Sequence, residues 1–547
     1  MNHSTVIRLL LIYLLVLGAA CLALHGWMTI RRDVPVPHAV ILSVWKNGQR
    51  VARHVVAPQD AVARRQQLET TGTSVVPEDL LDEGPILGKS RLLFGASVVP
   101  VRDGIQVTYR GRVAYLTPDD LLHIHGYDFE TDLFGVSIVL GVDRDAVLDA
   151  ASHELGVSPA QLLAEAKFRR IAVRRVALTT ENAVELNIPS LKRAITAAAD
   201  YLARQVNSDG TFRYEIDTYT GDVLPGYSWP RHAGATWFLA RVAAFTHSEF
   251  LADKTRLAAA QLANHATLQC GSHRCIGEGE RVDIGSAALT LLAYCQMHNA
   301  KLAEGLLPAI HDLAEFLRSQ QRTDGEFAHT YDLTQSKAID EQFPYYTGEA
   351  ALALSQAHLA TGDPNDLKAA SAALSYLVER PSLFVTWRYF WAAEHWTCQA
   401  VTDLWRRAPS PVGKEFCLAW QRYNRGATSH DPEYAGAAGR YLFRSVPLTG
   451  AASSTEAAVA TLALSRLTPM PASEVADLER GLRVSLTLLL RHQLLPGPTH
   501  LMRQPTIPTG AMPASTSDLR IRIDYPQHSG SAWLGYLLWL ENKPWTL

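Results

Sequence analysis

Long runs of one charge are missing from this chain. Its 51 lysines and arginines are nearly matched by 54 aspartates and glutamates, a formal net charge of −3. With no basic patch or stripe there is no electrostatic footprint for nucleic acid. Cysteine is scarce too, six in 547 residues, and no two form the C-x2-C pair that marks many zinc sites. Cys270 and Cys275, in C-G-S-H-R-C, are the one close pair; they can close a disulfide in an oxidising compartment or stay as two thiols. Cys295, Cys398 and Cys417 stand alone on helical patterns, where a buried thiol is the expectation. No segment reads as disordered, and the length exceeds what one core organises, so two domains are expected.

One stretch departs from this globular pattern. From Val6 to Ile30 little more than Arg8 and His25 interrupts an apolar run. About twenty such residues at about 1.5 Å each span a hydrocarbon core of about 30 Å. Gly18-Ala19-Ala20 offers small residues for a signal-peptide cleavage, but the run continues through Leu22, Leu24 and Trp27. Residues 1–33 are therefore expected to be an N-terminal transmembrane helix. Arg8 lies on one side and Arg31 and Arg32 on the other. That count leans towards a cytoplasmic body, although long C-terminal domains are translocated despite such charges.

Residues 34–185 predict a small α+β domain. Val40–Trp45 and Val51–Val56 flank Lys46-Asn47-Gly48 as a hairpin, the Asn-Gly supplying positive φ values. Leu92–Val101, Ile105–Tyr109 and Val113–Leu116 read as three more strands. Thr117-Pro118-Asp119-Asp120 and Ser158-Pro159 are helix starts with a cap and a proline in the first turn. Asp145–Leu155 is amphipathic. His123 and His125 read as surface or packing residues. The strand series from Phe94 through Asp103-Gly104, Tyr109 and Leu116, followed by Asp145–Leu162 with Leu155-Gly156-Val157-Ser158-Pro159, resembles the AMMECR-type domain. That resemblance implies a fold and no activity.

Residues 186–547 predict an all-α domain built on a repeat. Six helix starts align: His232-Ala-Gly, Asp283-Ile-Gly, Tyr346-Thr-Gly, His395-Trp-Thr, Ser453-Ser-Thr and His528-Ser-Gly, spaced 51, 63, 49, 58 and 75 residues apart. Room for one further helix lies between neighbours, as at Ala309–Gln320 and Leu367–Val378. The small residues suit inner helices crowded at an axis, and helices rich in large aliphatics, such as Val475–Leu490, suit an outer ring. Six hairpins closing on themselves make an (α/α)6 toroid. Asp209-Gly210-Thr211-Phe212 and Asp324-Gly325-Glu326-Phe327, each preceded by glutamine (Gln205, Gln320), resemble the Q-x-x-x-D-G-x-F/W turn of terpenoid-cyclase and six-hairpin glycosidase architectures.

In a closed ring the six aligned positions share one mouth, where helix N-termini offer N–H groups and positive dipole ends to an anionic or polyhydroxylated ligand. Asp283 and Ser453 are expected to be N-caps. Glu349, His395, Asp524 and His528 are the candidate proton-transfer groups. Tyr214, Arg231, His232, Tyr346 and Glu394 are the candidate residues for holding substrate, and Trp229, Trp387, Trp391 and Trp396 are available to stack on sugar rings. The architecture resembles that of six-hairpin glycosidases, uronic-acid lyases, sugar epimerases and terpenoid cyclases; the acidic D-x-D-D signature of the last is missing. The resemblance implies a carbohydrate-active enzyme (glycosidase, lyase or epimerase) acting on an acidic or N-acetylated glycan without cofactor or metal. The expected setting is a bacterial inner membrane, with the body on the periplasmic side. The rival expectation is a non-catalytic glycan- or protein-binding scaffold of an envelope assembly.

Overall fold

A computed structural model describes residues 36–133, 136–175, 185–380, 395–428, 446–495 and 497–544. These residues fall into two compact units. In the first, strands β1 (Ala39–Lys46), β2 (Gln49–Val56), β3 (Ser74–Ile86), β4 (Asp103–Tyr109), β5 (Arg112–Leu116) and β8 (Lys167–Arg175) form one antiparallel sheet in the order β2-β1-β3-β8-β4-β5. The tight turn between β1 and β2 places Asn47 at φ 51° and Gly48 at φ 77°, the left-handed geometry that Asn-Gly tolerates best. The two-residue period of β1 sends Val40, Leu42 and Val44 to one apolar cluster and Ile41 to another, with Leu80 and Ile171. A separate hairpin pairs β6 (Tyr127–Leu133) with β7 (Val136–Val142).

Among the described residues five α-helices accompany these strands: α1 (Ala61–Leu68), α2 (Arg91–Ala96), α3 (Pro118–His123), α4 (Arg144–Leu155) and α5 (Pro159–Glu165). Thr117 with Asp120 and Ser158 with Gln161 form capping boxes, so both predicted starts are in place. The predicted strand Leu92–Val101 is not one. Ser90 caps α2 there, its hydroxyl accepting from Leu93 N–H, and Val101 sits at φ 64°, which no strand accommodates. The central positions of the sheet belong instead to β3 and β8. The first unit also takes in His500–Arg503, where His500 Nε2 lies 2.6 Å from an oxygen of Asp119.

Among the described residues the second unit carries twelve α-helices. Six are α7 (Trp229–Thr246), α9 (Ile284–Asn299), α11 (Tyr346–Thr361), α13 (Trp396–Leu404), α15 (Leu448–Leu464) and α17 (Asp524–Leu540). Each packs on the next, and α17 packs on α7, which closes the ring. Their burial is nearly continuous, as from Ile284 through Met297. The other six, α6 (Ile188–Gln205), α8 (Glu249–His265), α10 (Leu307–Ser319), α12 (Pro364–Val378), α14 (Pro411–Ala427) and α16 (Ala472–His492), bury one stripe each. In α16 that stripe includes Leu478, Leu482, Leu486 and Leu489, the spacing of an amphipathic helix.

The small residues of the inner ring have a visible cause. A Cβ on Gly285 would come within 2.3 Å of the Tyr346 ring on the next inner helix, and one on Gly530 within 2.2 Å of Phe238, across the contact that closes the ring. The repeated Asp-Gly turns are equally tight: Gly210 and Gly325 have φ near 90° and 97°, and a Cβ on either would meet a backbone oxygen at 2.4 Å.

Cys270 and Cys275 form a disulfide across the hairpin β9 (Thr267–Cys270) and β10 (His273–Ile276). Cys398 and Cys417 form a second, joining α13 to α14, which corrects the expectation of two isolated thiols. No described helix is long and apolar enough to cross a membrane. The anchor expected over residues 1–33 lies outside the described residues.

Candidate active site

The N-terminal ends of the inner helices surround a cavity of about 540 Å³. Arg231 reaches it from α7, Tyr346 and Glu349 from α11, His395 and Trp396 from the start of α13, Ser453 from α15, and Asp524 and His528 from α17. Of the nine residues singled out for chemistry or binding, six therefore share one space. Tyr345 and Phe343, on the approach to α11, and Arg522, two residues before α17, also line it.

Its most distinctive feature is a histidine pair around a buried carboxylate. The rings of His395 and His528 lie 5.0 Å apart, edge to face at 85°. Between them Glu456, 1% exposed, places one oxygen 2.8 Å from His528 Nδ1 and 3.6 Å from His395 Nε2. Trp396 flanks His395, its ring 4.5 Å away. Burial alone would strip charge from His528, yet Glu456 overrides it and holds the imidazole pKa above its ordinary value. Burial pushes the Glu456 carboxyl up in turn, opposed by His528 and by Arg241. Both members rise, which favours a proton held on the pair. The same three residues bring one ligand atom each within 4.8 Å of the others, a set of the two-His-one-carboxylate kind. A cation would have to displace the His528–Glu456 hydrogen bond and share the carboxylate with Arg241.

The second feature is a charged clamp. Asp524, 5% exposed, accepts from Arg522 at 2.7 and 3.0 Å and from Arg231 at 3.1 Å. Burial disfavours its charge, but the two guanidiniums prevail and keep the carboxyl below the usual carboxylate range. A carboxylate so held is a poor proton shuttle near pH 7. The geometry lets Asp524 fix the two guanidiniums at the cavity wall. Arg231 also donates to the Tyr214 hydroxyl at 2.9 Å, which puts Tyr214 behind the arginine and outside the cavity wall. Tyr346 stacks on Phe343 at 4.9 Å and bonds to Asp283 through its hydroxyl; burial and the neighbouring Asp283 and Glu349 carboxylates raise its pKa.

Other expectations need correction. His232 does not face the cavity: it is fully buried, its Nδ1 2.6 Å from the Tyr227 hydroxyl and its Nε2 2.9 Å from the Ala258 carbonyl. Burial pushes its pKa down to about 4. It ties the Asp-Gly turn, through Tyr227 and Phe212 N–H, to α7 and α8. Asp283 caps α9 as expected, accepting from Ser286 N–H at 2.7 Å. Ser453 is no cap; it lies inside α15 and donates to the Thr449 carbonyl. Glu394, Trp387 and Trp391 lie outside the described residues. Glu456 and Arg522 were not among the singled-out residues. Glu456 stands three places after Ser453, as Glu349 does after Tyr346, and that repeat was its signal.

No protein-family profile and no curated protein sequence matches the chain. Among solved structures it is similar to a D-mannose isomerase, at 13% identity and a TM-score of 0.50, over 65% of this chain and 99% of the other. A sugar epimerase from a ruminal bacterium matches at 10% identity and 0.49, over 64% and 98%. The unsaturated glucuronyl hydrolase of Bacillus sp. GL1 matches at 12% and 0.47, over 64% and 97%. At these identities the likeness is one of fold. With the closed ring of six inner helices it places the second unit among the (α/α)6 toroids.

Proposed function

We propose that the protein is a carbohydrate-active enzyme that moves a proton on a sugar, in an epimerisation or isomerisation, and that its substrate is an acidic glycan or sugar. The observation that carries this reading is the meeting of His395 and His528 around Glu456 at the floor of a cavity that a saccharide unit fits. Carbon acids next to a carbonyl or carboxylate need a base to take the proton and an acid to return one, and imidazoles work near neutral pH. His528, kept protonated by Glu456, is the donor. His395 takes the C–H proton, and Glu349 stands on the same wall to bond a sugar hydroxyl. Arg231 and Arg522, fixed by Asp524, hold the anionic group. Tyr345, partly exposed on the cavity wall, gives a flat surface a sugar ring packs on. The toroid fold shared with a D-mannose isomerase is compatible with this chemistry.

The test is incubation of the whole chain with a panel of aldoses, uronates and oligosaccharides in D2O, followed by NMR. Deuterium should enter the carbon beside the carbonyl or carboxylate, and a chelator should leave the rate unchanged. Release of new reducing ends without carbon-bound deuterium would instead assign hydrolysis, with Glu349 as the acid. No turnover of any saccharide together with saturable binding would assign the scaffold. The proposed setting is the periplasmic side of a membrane, with residues 1–33 as the anchor. Two disulfides support an oxidising compartment.

A further inference from the structure

The other end of the ring carries a second cavity, of about 320 Å³, where α13, α15 and α17 end. Four cationic side chains line it, Arg406, Arg407, Arg466 and Lys543, against one carboxylate, Asp403. That carboxylate is already engaged: Arg407 donates to it at 2.6 Å, and Ser355 and Gln356 bond to it from α11. Lys543 also pairs with Glu541 at 2.8 Å, which leaves Arg406 and Arg466 as surplus charge. Helix C-termini attract cations through their dipoles, which accounts for part of the cluster.

It does not account for two buried donors. Among the described residues, neither Arg407 Nε nor Trp539 Nε1 has a hydrogen-bond acceptor, and a buried donor left unmet costs about 1–3 kcal/mol. Both belong to residues of the cavity wall, although the two atoms themselves are closed to solvent. Trp539 also supplies a flat wall, stacked on Tyr536 at 5.9 Å and 11° and covered on part of its surface by Arg466 at 4.9 Å.

We infer that this cavity binds a monosaccharide bearing an oxyanion, a carboxylate or a phosphate. The oxyanion lies between the Arg406, Arg407 and Arg466 guanidiniums, whose planar forks match it, and the ring lies along Trp539. The site is distinct from the acid–base cavity. The axis between them is filled by Trp237, Arg241, Gln296, Gln356 and Gln399, which leave about 20 Å³, room for about one water.

Calorimetric titration of the whole chain in an Arg231→Gln background, where the anion contact of the first cavity is weakened, tests this. The probes are glucuronate, glucose 6-phosphate, inorganic phosphate and glucose. At least one charged sugar should bind saturably and more tightly than inorganic phosphate, and glucose should not bind. Adding Arg406→Gln and Arg466→Gln should weaken that binding at least tenfold. Arg406→Gln alone, at an exposed position, should weaken it severalfold if the double variant does not fold. On the otherwise native chain, Arg406→Gln should leave saccharide turnover unchanged, so failure of this site is separable from failure of the first. Undiminished binding in the variants, equal binding of glucose, inorganic phosphate as tight as the charged sugars, or no saturable binding of any charged sugar would overturn the assignment.

Discussion

His395 and His528, from the fourth and sixth inner helices, meet edge to face with their ring centres 5.0 Å apart, and both reach the same oxygen of Glu456. The pair rests on the order of the inner helices: α15, which carries Glu456, stands between α13 and α17 and packs on both. Replacing either histidine by Asn should lower kcat by about 10²–10⁴-fold. Glu456→Gln should also move the alkaline limb of the rate profile to lower pH. Glu456 raises the His528 pKa, so without its charge the imidazolium loses its proton earlier. A rate profile from pH 5 to 9 checks this, and a limb that stays in place would remove Glu456 from the relay.

Asp524 should behave differently from the histidines. Neutralising it as Asp524→Asn leaves two guanidiniums facing each other, with Arg231 42% and Arg522 22% exposed. The expected cost is about 1–3 kcal/mol of stability, less than for a fully buried pair because water reaches both arginines. KM for an anionic sugar should rise more than kcat falls. Denaturant titration and steady-state kinetics measure the two effects, and a kcat loss as large as that of His395→Asn with unchanged KM would return Asp524 to proton transfer.

His232 makes a pH prediction of definite sign. The unfolded chain protonates it near 6.5, whereas the folded chain holds it neutral down to about 4. Stability from this residue is complete above pH 6.5 and drains as pH falls towards 4; by pH 5 about 2 kcal/mol is gone. His232→Gln should be less stable than the parent at pH 7.5 and should close most of that gap at pH 5. Melting curves at the two values test it. A gap that widens on acidification would mean that His232 is charged in the fold.

The ring predicts a steric contrast. Gly285→Ala drives a methyl into the Tyr346 ring and should cost about 1–3 kcal/mol, the usual range for overpacking, with activity lost as Tyr346 shifts. Gly426→Ala, whose Cβ would meet nothing within 4 Å among the described residues, should be neutral or mildly stabilising. Equal effects at both sites would argue against close approach of the inner helices.

The toroid was legible because crowding at the axis selects small residues at a recurring place, and that place repeats in the chain. The site was legible only in part, because the six helices begin at different offsets from the aligned position. Asp283 and His395 precede their helices, Tyr346 opens one, and His232, Ser453 and His528 lie four to six residues in. Successive helical residues point about 100° apart, so Arg231 faces the cavity and His232 turns into the wall. Ser453 fails as a cap for the same reason. In the first unit Leu92–Val101 misled because its apolar alternation fits a strand, while the Ser90 cap decides for a helix. The Cys398–Cys417 pairing joins two helices and left no local spacing to read.

The most direct test of the account is carbon-bound deuterium. The whole chain, incubated in D2O with the saccharide it turns over, should place deuterium beside the carbonyl or carboxylate, and both His395→Asn and His528→Asn should reduce that incorporation at least a hundredfold while melting within a few degrees of the parent. Incorporation that persists in both variants, or turnover by the parent with no deuterium on carbon, would contradict a two-histidine proton transfer.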